Sequence, residues 1–154
     1  MAKAKKILVI DDEPMVVKMV SDVLISRGLE VITAPEGYEG LLKAISEHPD
    51  LILLDVVMPG LDGHEVLARL HKDARTTDIP VVFLTAVGDF DEQLHSMDEG
   101  ISDYITKPIR PSEVADRVEE FLDPARRAAA EREGKMKAGK LRTIVEIMHR
   151  EHKE

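Results

Sequence analysis

The sequence contains no cysteine and no tryptophan, and aromatic residues make up only 3% of its 154 positions. Lack of cysteine excludes disulfides, thiolate metal sites and a cysteine nucleophile. It also fits a reducing compartment. With so few aromatics, a core has to be built from Val, Ile, Leu, Met and Ala. No apolar run is long enough to span a membrane. The first of them, KILVI, is too short for a signal h-region and runs straight into Asp11, Asp12 and Glu13. A soluble cytoplasmic protein without membrane insertion is expected.

The apolar share of 44% is ordinary for a globular chain, and the length suits one domain plus an appendage. The net charge of −9 is unevenly spread. Residues 1–123 hold 12 Lys/Arg against 25 Asp/Glu, whereas residues 124–154 hold 9 against 5. The acidic body should repel nucleic acid. The tail is mildly basic.

Along the body, short apolar runs alternate with amphipathic ones. Strands are expected at residues 6–10, 29–33, 51–54, 81–85 and 103–106. Helices are expected at 14–27, 38–47, 63–71, 91–99 and 111–122. Pro14 suits the first turn of its helix, and Gly28 stops it. Strands that are apolar throughout imply a parallel sheet covered on both faces. Right-handed crossovers then give a doubly wound, five-stranded, flavodoxin-like α/β fold. In the tail, helices are expected at 125–133 and 140–151, with a weak spot at Gly134 and Gly139. Leu141, Ile144, Val145 and Met148 form one apolar stripe.

In doubly wound folds, functional groups gather beyond the carboxyl ends of the strands. Those positions hold Asp11 and Asp12 after the first strand, Asp55 after the third, Thr85 at the fourth and Lys107 at the fifth. Three carboxylates at one place repel one another unless a positive charge joins them. Mg²⁺ suits a partly hydrated carboxylate site of this kind. Asp12 and Asp55 can ligate it directly, Asp11 through water, and a backbone carbonyl after Asp55 can complete the protein share. Asp55 is then an oxygen nucleophile beside a metal and an ammonium, both able to stabilise a transferring phosphoryl group. The Thr85 hydroxyl can bond a phosphoryl oxygen, and the product is an aspartyl phosphate. There is no GxxxxGK[ST] loop, so ATP bound by this chain is not the expected donor.

Taken singly, each residue has a plainer reading. Asp11-Asp12 suits a helix N-cap, Asp55 a turn, and Lys107-Pro108 a loop. Their convergence favours the chemical one. The segments ILVIDDEP, LILLDVVMPGLDG, VVFLTA and DYITKPI, in that order, resemble the receiver domain of two-component response regulators over residues 5–122. The resemblance implies Asp11 and Asp12 as Mg²⁺ residues, Asp55 as phospho-acceptor, and Thr85 and Lys107 as phosphoryl ligands. It places a third metal contact on the Val57 carbonyl. It implies a sensor histidine kinase or phosphotransfer protein as donor, and a switch through Thr85 and Tyr104. The face expected to change comprises helix 91–99, strand 103–106 and helix 111–122. Val57 and Val87, two residues after the acceptor and the switch threonine, offer a hydrolytic water no hydrogen bond. Slow loss of phosphate follows.

Two other classes compete. An aspartyl-nucleophile hydrolase would carry a second acid two residues after its nucleophile, where this chain has Val57. A phosphorylation-independent interaction domain would not need the acids, Thr85 and Lys107 together. The body is expected to be a receiver of residues 1–123 and the tail of 124–154 a helical extension without its own globular fold. At about thirty residues the tail is too short for a helix-turn-helix module. Output is therefore expected through a downstream protein or a homodimer formed on phosphorylation, with no direct DNA binding.

Overall fold

The computed structural model describes residues 3–86 and 100–151. Five parallel strands form one sheet in the order β2-β1-β3-β4-β5. They are β1 (Lys6–Ile10), β2 (Glu30–Ala34), β3 (Leu51–Asp55), β4 (Val81–Ala86) and β5 (Asp103–Lys107). The helices are α1 (Pro14–Ser26), α2 (Gly37–Glu47), α3 (Gly63–Lys72), α4 (Pro111–Leu122) and α5 (Pro124–Glu151). The expected doubly wound α/β architecture is the one observed. The helix expected at 91–99 lies outside the described residues.

The sheet is buried on both faces, as its continuous apolar strands require. Ile7, Val9, Leu51, Leu53, Val82 and Leu84 point to one side, where they pack with Val20 and Leu24 of α1 and Val118 and Phe121 of α4. Leu8, Ile10, Ile52, Leu54 and Phe83 point to the other, against Ala44 of α2 and Val66, Leu67 and Leu70 of α3. Alternation along each strand assigns the side chains to these two layers. All strands run in the same direction, so their carboxyl ends meet at one edge.

Local caps fix where the helices begin. The Glu36 carboxylate accepts from the backbone of Glu39 at 2.6 Å and of Tyr38 at 3.2 Å. That of Asp62 accepts from Glu65 at 3.0 Å. These satisfy N–H groups that have no partner inside the first turn. Gly63 then comes close to the end of β3, its N–H donating to the Val56 carbonyl at 2.8 Å. A Cβ at this position would lie 2.7 Å from the Asp55 carbonyl oxygen and 2.8 Å from Val56 Cα. Both are backbone atoms and cannot rotate aside. Gly63→Ala is therefore expected to cost about 1–3 kcal/mol, read as a lower thermal midpoint; an unchanged midpoint would contradict it.

The tail departs from expectation. Residues 124–151 form one helix, uninterrupted at Gly134 or Gly139. Glycine lowers helix propensity by about 1 kcal/mol, but packing overrides it here. Ala130, Gly134, Leu141 and Val145 are buried, and Lys137 and Ala138 are half-buried between them. That is a single stripe at helical spacing, and Ala130 joins the core beneath α4. The stripe expected from the sequence is half right. Leu141 and Val145 are covered, while Ile144 and Met148 remain 39% and 38% exposed.

Candidate functional site

Each acid of the site is placed by a strand end. Asp11 follows β1 and is tied to β2 by its N–H, which donates to the Ala34 carbonyl at 3.2 Å. Its Oδ1 accepts from the Glu13 N–H at 2.9 Å. The turn-forming role and the chemical role thus coexist on one carboxylate. The other oxygen, Oδ2, is buried without a hydrogen bond and faces Lys107 Nζ at 3.5 Å. Asp55 ends β3 and is only 3% exposed. Its Oδ1 accepts from Val57 N–H at 3.3 Å and from Lys107 Nζ at 3.4 Å. Lys107 ends β5 and donates most closely to Glu13 Oε1, at 2.7 Å.

One carboxylate oxygen from each of Asp11, Asp12, Glu13 and Asp55 falls within 4.8 Å of the others. A cleft of about 370 Å³ opens over Asp12, Glu13 and Asp55, lined also by Val57, Thr85 and Lys107. Thr85 is 5% exposed and sits on β4, next to β3.

The electrostatics follow from crowding. Burial, then the charge of Asp11, pushes the Asp55 carboxyl up to about 7, against the pull of Lys107 and the Val57 N–H. Burial also raises Asp11, opposed by the bond from Glu13 and by Lys107. Burial disfavours charge on Lys107, yet the Glu13 hydrogen bond and the surrounding carboxylates hold its pKa above the usual value. One ammonium does not balance four acids. An oxygen-only donor set with an unpartnered buried oxygen on Asp11 fits a hard divalent cation.

The residues expected from sequence are therefore brought together: Asp12, Asp55, Thr85 and Lys107 line one cleft, and Asp11 joins them beneath it through the carboxylate cluster and Lys107. Val57 gives its backbone to Asp55, and its side chain stands 76% exposed at the rim. Val87 lies outside the described residues. Tyr104 does not line the cleft. It is half-buried on β5, beside Phe83 of β4, with its ring under Lys137. Sequence reasoning overlooked Glu13, the nearest partner of Lys107. Its signal was present: a third acid contiguous with Asp11-Asp12 at the same strand end.

Residues 7–119 match the family model described as the response regulator receiver domain. The chain belongs to this family. The receiver is 42% identical to the DNA-binding dual master transcriptional regulator RpaA of Synechocystis, over 76% of this chain and 48% of that protein. It is 38% identical to the phosphate regulon transcriptional regulatory protein PhoB of Pseudomonas aeruginosa, over 77% of this chain and 52% of that one. It thus spans about half the length of the curated relatives it matches. Among solved structures it resembles CheY4 of Vibrio cholerae, with a TM-score of 0.73 and 28% identity, covering 78% of this chain and all of that one. A receiver domain protein of Clostridium thermocellum gives a TM-score of 0.71 at 32% identity, covering 77% and 94%.

These relatives correct one expectation. The absence of direct DNA binding was inferred from the acidic body and the short tail. RpaA is named as DNA-binding, and ycf27 proteins and PhoB as transcriptional regulators. Charge and tail length describe only the residues of this chain, which span about half the length of these relatives. The inference does not stand. Among the described residues no helix is long and apolar enough to cross a membrane.

Proposed function

We propose that this receiver takes a phosphoryl group onto Asp55, from a phosphohistidine of a sensor kinase or phosphotransfer protein, or from a small phosphodonor. The observation that carries this is the buried Asp55 carboxylate at the head of an acidic cluster, 3.4 Å from the Lys107 ammonium. In the transfer an Asp55 oxygen forms the new P–O bond as the donor's bond to phosphorus breaks. Asp11, Asp12, Asp55 and the Val57 carbonyl would hold Mg²⁺, which when bound supplies positive charge for the transferring oxygens. Lys107 exchanges part of its contact with Glu13 for a phosphoryl oxygen, and the Thr85 hydroxyl donates to another. A charge-assisted bond to Thr85 biases a two-state element, with the Tyr104 ring turning inward. Residues 1–123 form the phospho-acceptor unit and 124–154 an extension. The changed face, β5 and α4, controls a protein partner or pairing with a second copy. The named relatives favour transcription as the process it serves.

Acetyl phosphate with Mg²⁺ should add one phosphoryl group, mapped by peptide mass spectrometry to Asp55. No uptake, or uptake on another residue, would overturn the reading. Val57 leaves the mouth of the cleft without a polar side chain, so the phosphate should be lost slowly. Val57→Gln should speed the loss several-fold, and the same decay in both proteins would sink that idea.

A further inference from the structure

Strand β5 is an edge of the sheet. An open edge leaves backbone groups available for pairing, and folds commonly cover it. Here α5 supplies contacts to its first two residues. Lys137 Nζ donates to Asp103 Oδ1 at 2.6 Å and to the Tyr104 carbonyl at 3.3 Å. The same ammonium lies 4.2 Å from the centre of the Tyr104 ring, within range of a cation–π contact. Asp103 is 2% exposed, so its charge has to be matched within the structure. It shares that match between Lys137 and Arg117 Nη1 of α4, at 3.6 Å. Arg117 in turn reaches Glu133 of α5 at 3.3 Å, and Arg126 of α5 reaches Glu120 of α4 at 3.5 Å.

The rest of the contact is small or apolar. On the stripe of α5 that carries Ala130, Gly134, Ala138, Leu141 and Val145, Lys137 is the charged member. Glu131, Gly134, Lys135 and Ala138 wall a cavity of about 320 Å³ against Gly100, Ile101 and Ser102 at the start of β5. Among the described residues, an open cleft therefore lies beside the helix–body contact at that point. The polar attachment of α5 to β5 is through the two residues that begin that strand, and two further ion pairs tie it to α4.

We propose that α5 is an intramolecular cover for β5, fastened by Lys137 to Asp103 and Tyr104, and loosened when Asp55 is phosphorylated. The inference rests on the phospho-acceptor reading. An inward turn of the Tyr104 ring removes the aromatic face from beneath the Lys137 ammonium. Lys137 then keeps Asp103 but loses one of its contacts, close to the cleft lined by Gly134 and Ala138. Coupling of this kind is reciprocal: if loading loosens the helix, a loose helix must favour loading.

Hydrogen–deuterium exchange of the full chain tests this, with loading at Asp55 followed by mass. Four samples are compared: wild type in chelator, wild type with Mg²⁺ and acetyl phosphate, and Lys137→Met and Lys140→Ala in chelator. Lys140 is an exposed position on the same helix and serves as the control. Peptides from residues 130–145 should exchange roughly fivefold or more faster in the loaded wild type and in Lys137→Met, and at the wild-type rate in Lys140→Ala. If Asp55 loads and exchange over 130–145 does not change, the cover is not phosphorylation-sensitive and the inference falls alone. Unchanged exchange in Lys137→Met overturns the fastening role. If Asp55 never loads, the phospho-acceptor reading falls and this inference falls with it.

Discussion

Asp55→Asn should abolish phosphoryl uptake and, in chelator near neutral pH, should melt at a higher temperature than the wild-type chain. Both effects come from one carboxylate. In the unfolded chain it ionises near its ordinary value of 3.8, whereas in the fold burial and the charge of Asp11 hold it up to about 7. Between those values the folded chain binds more protons than the unfolded chain, so stability falls as pH rises through that window. Three pKa units correspond to at most about 4 kcal/mol. Asparagine keeps the shape without the charge and removes this penalty. A gain of ~2 kcal/mol would raise the midpoint by about 4–8 °C. Thermal scans from about pH 5 to 7.5 should show a steep decline for wild type and a shallow one for Asp55→Asn. Mg²⁺ should close the gap by stabilising the wild type more. Equal midpoints throughout would mean that Asp55 is not destabilised by its surroundings.

Lys107→Met should slow phosphoryl uptake by about a hundredfold, the usual loss when one donor to a developing anion is removed. The Lys107 ammonium is within 3.5 Å of both Asp55 and Asp11, and its closest bond is to Glu13. Removing it leaves the acids without their nearest cation and the incoming phosphoryl group without one donor. Methionine retains most of the stem, so the loss reads the charge rather than the packing. Initial uptake rates at fixed Mg²⁺ measure it. A change below about threefold would remove Lys107 from the proposed role.

Much of this was legible in the residues. Continuous apolar runs such as LILL and VVFL specify strands buried on both faces, and one direction for all of them brings their ends together. From there, the positions of Asp11, Asp12, Asp55, Thr85 and Lys107 followed without knowledge of any contact. Less legible was anything depending on a neighbour distant in sequence. Lys107 chooses Glu13, and Lys137 chooses Asp103, across long stretches of chain. The tail was misread for a related reason. Gly134 and Gly139 suggest a break by propensity, but α5 runs through both, and its covered side is set by Ala130, Leu141 and Val145, whose partners are distant in sequence. The expectation of no direct DNA binding failed because composition reports on the residues present, which span about half the length of the relatives named as DNA-binding or transcriptional regulators.

The strand order has a mechanical consequence. Asp11 follows β1 and Asp55 ends β3, two strands that have neighbours on both sides and are pinned by helices above and below. Gly63 further ties the end of β3 to the start of α3. Tyr104 and Lys107 belong to β5, supported by another strand on one side only. A charge arriving at this site therefore acts between an anvil and a spring. The acids are held from both sides, so on the proposed reading the displacement should fall on the rim, a chemical event at the centre becoming movement at the boundary.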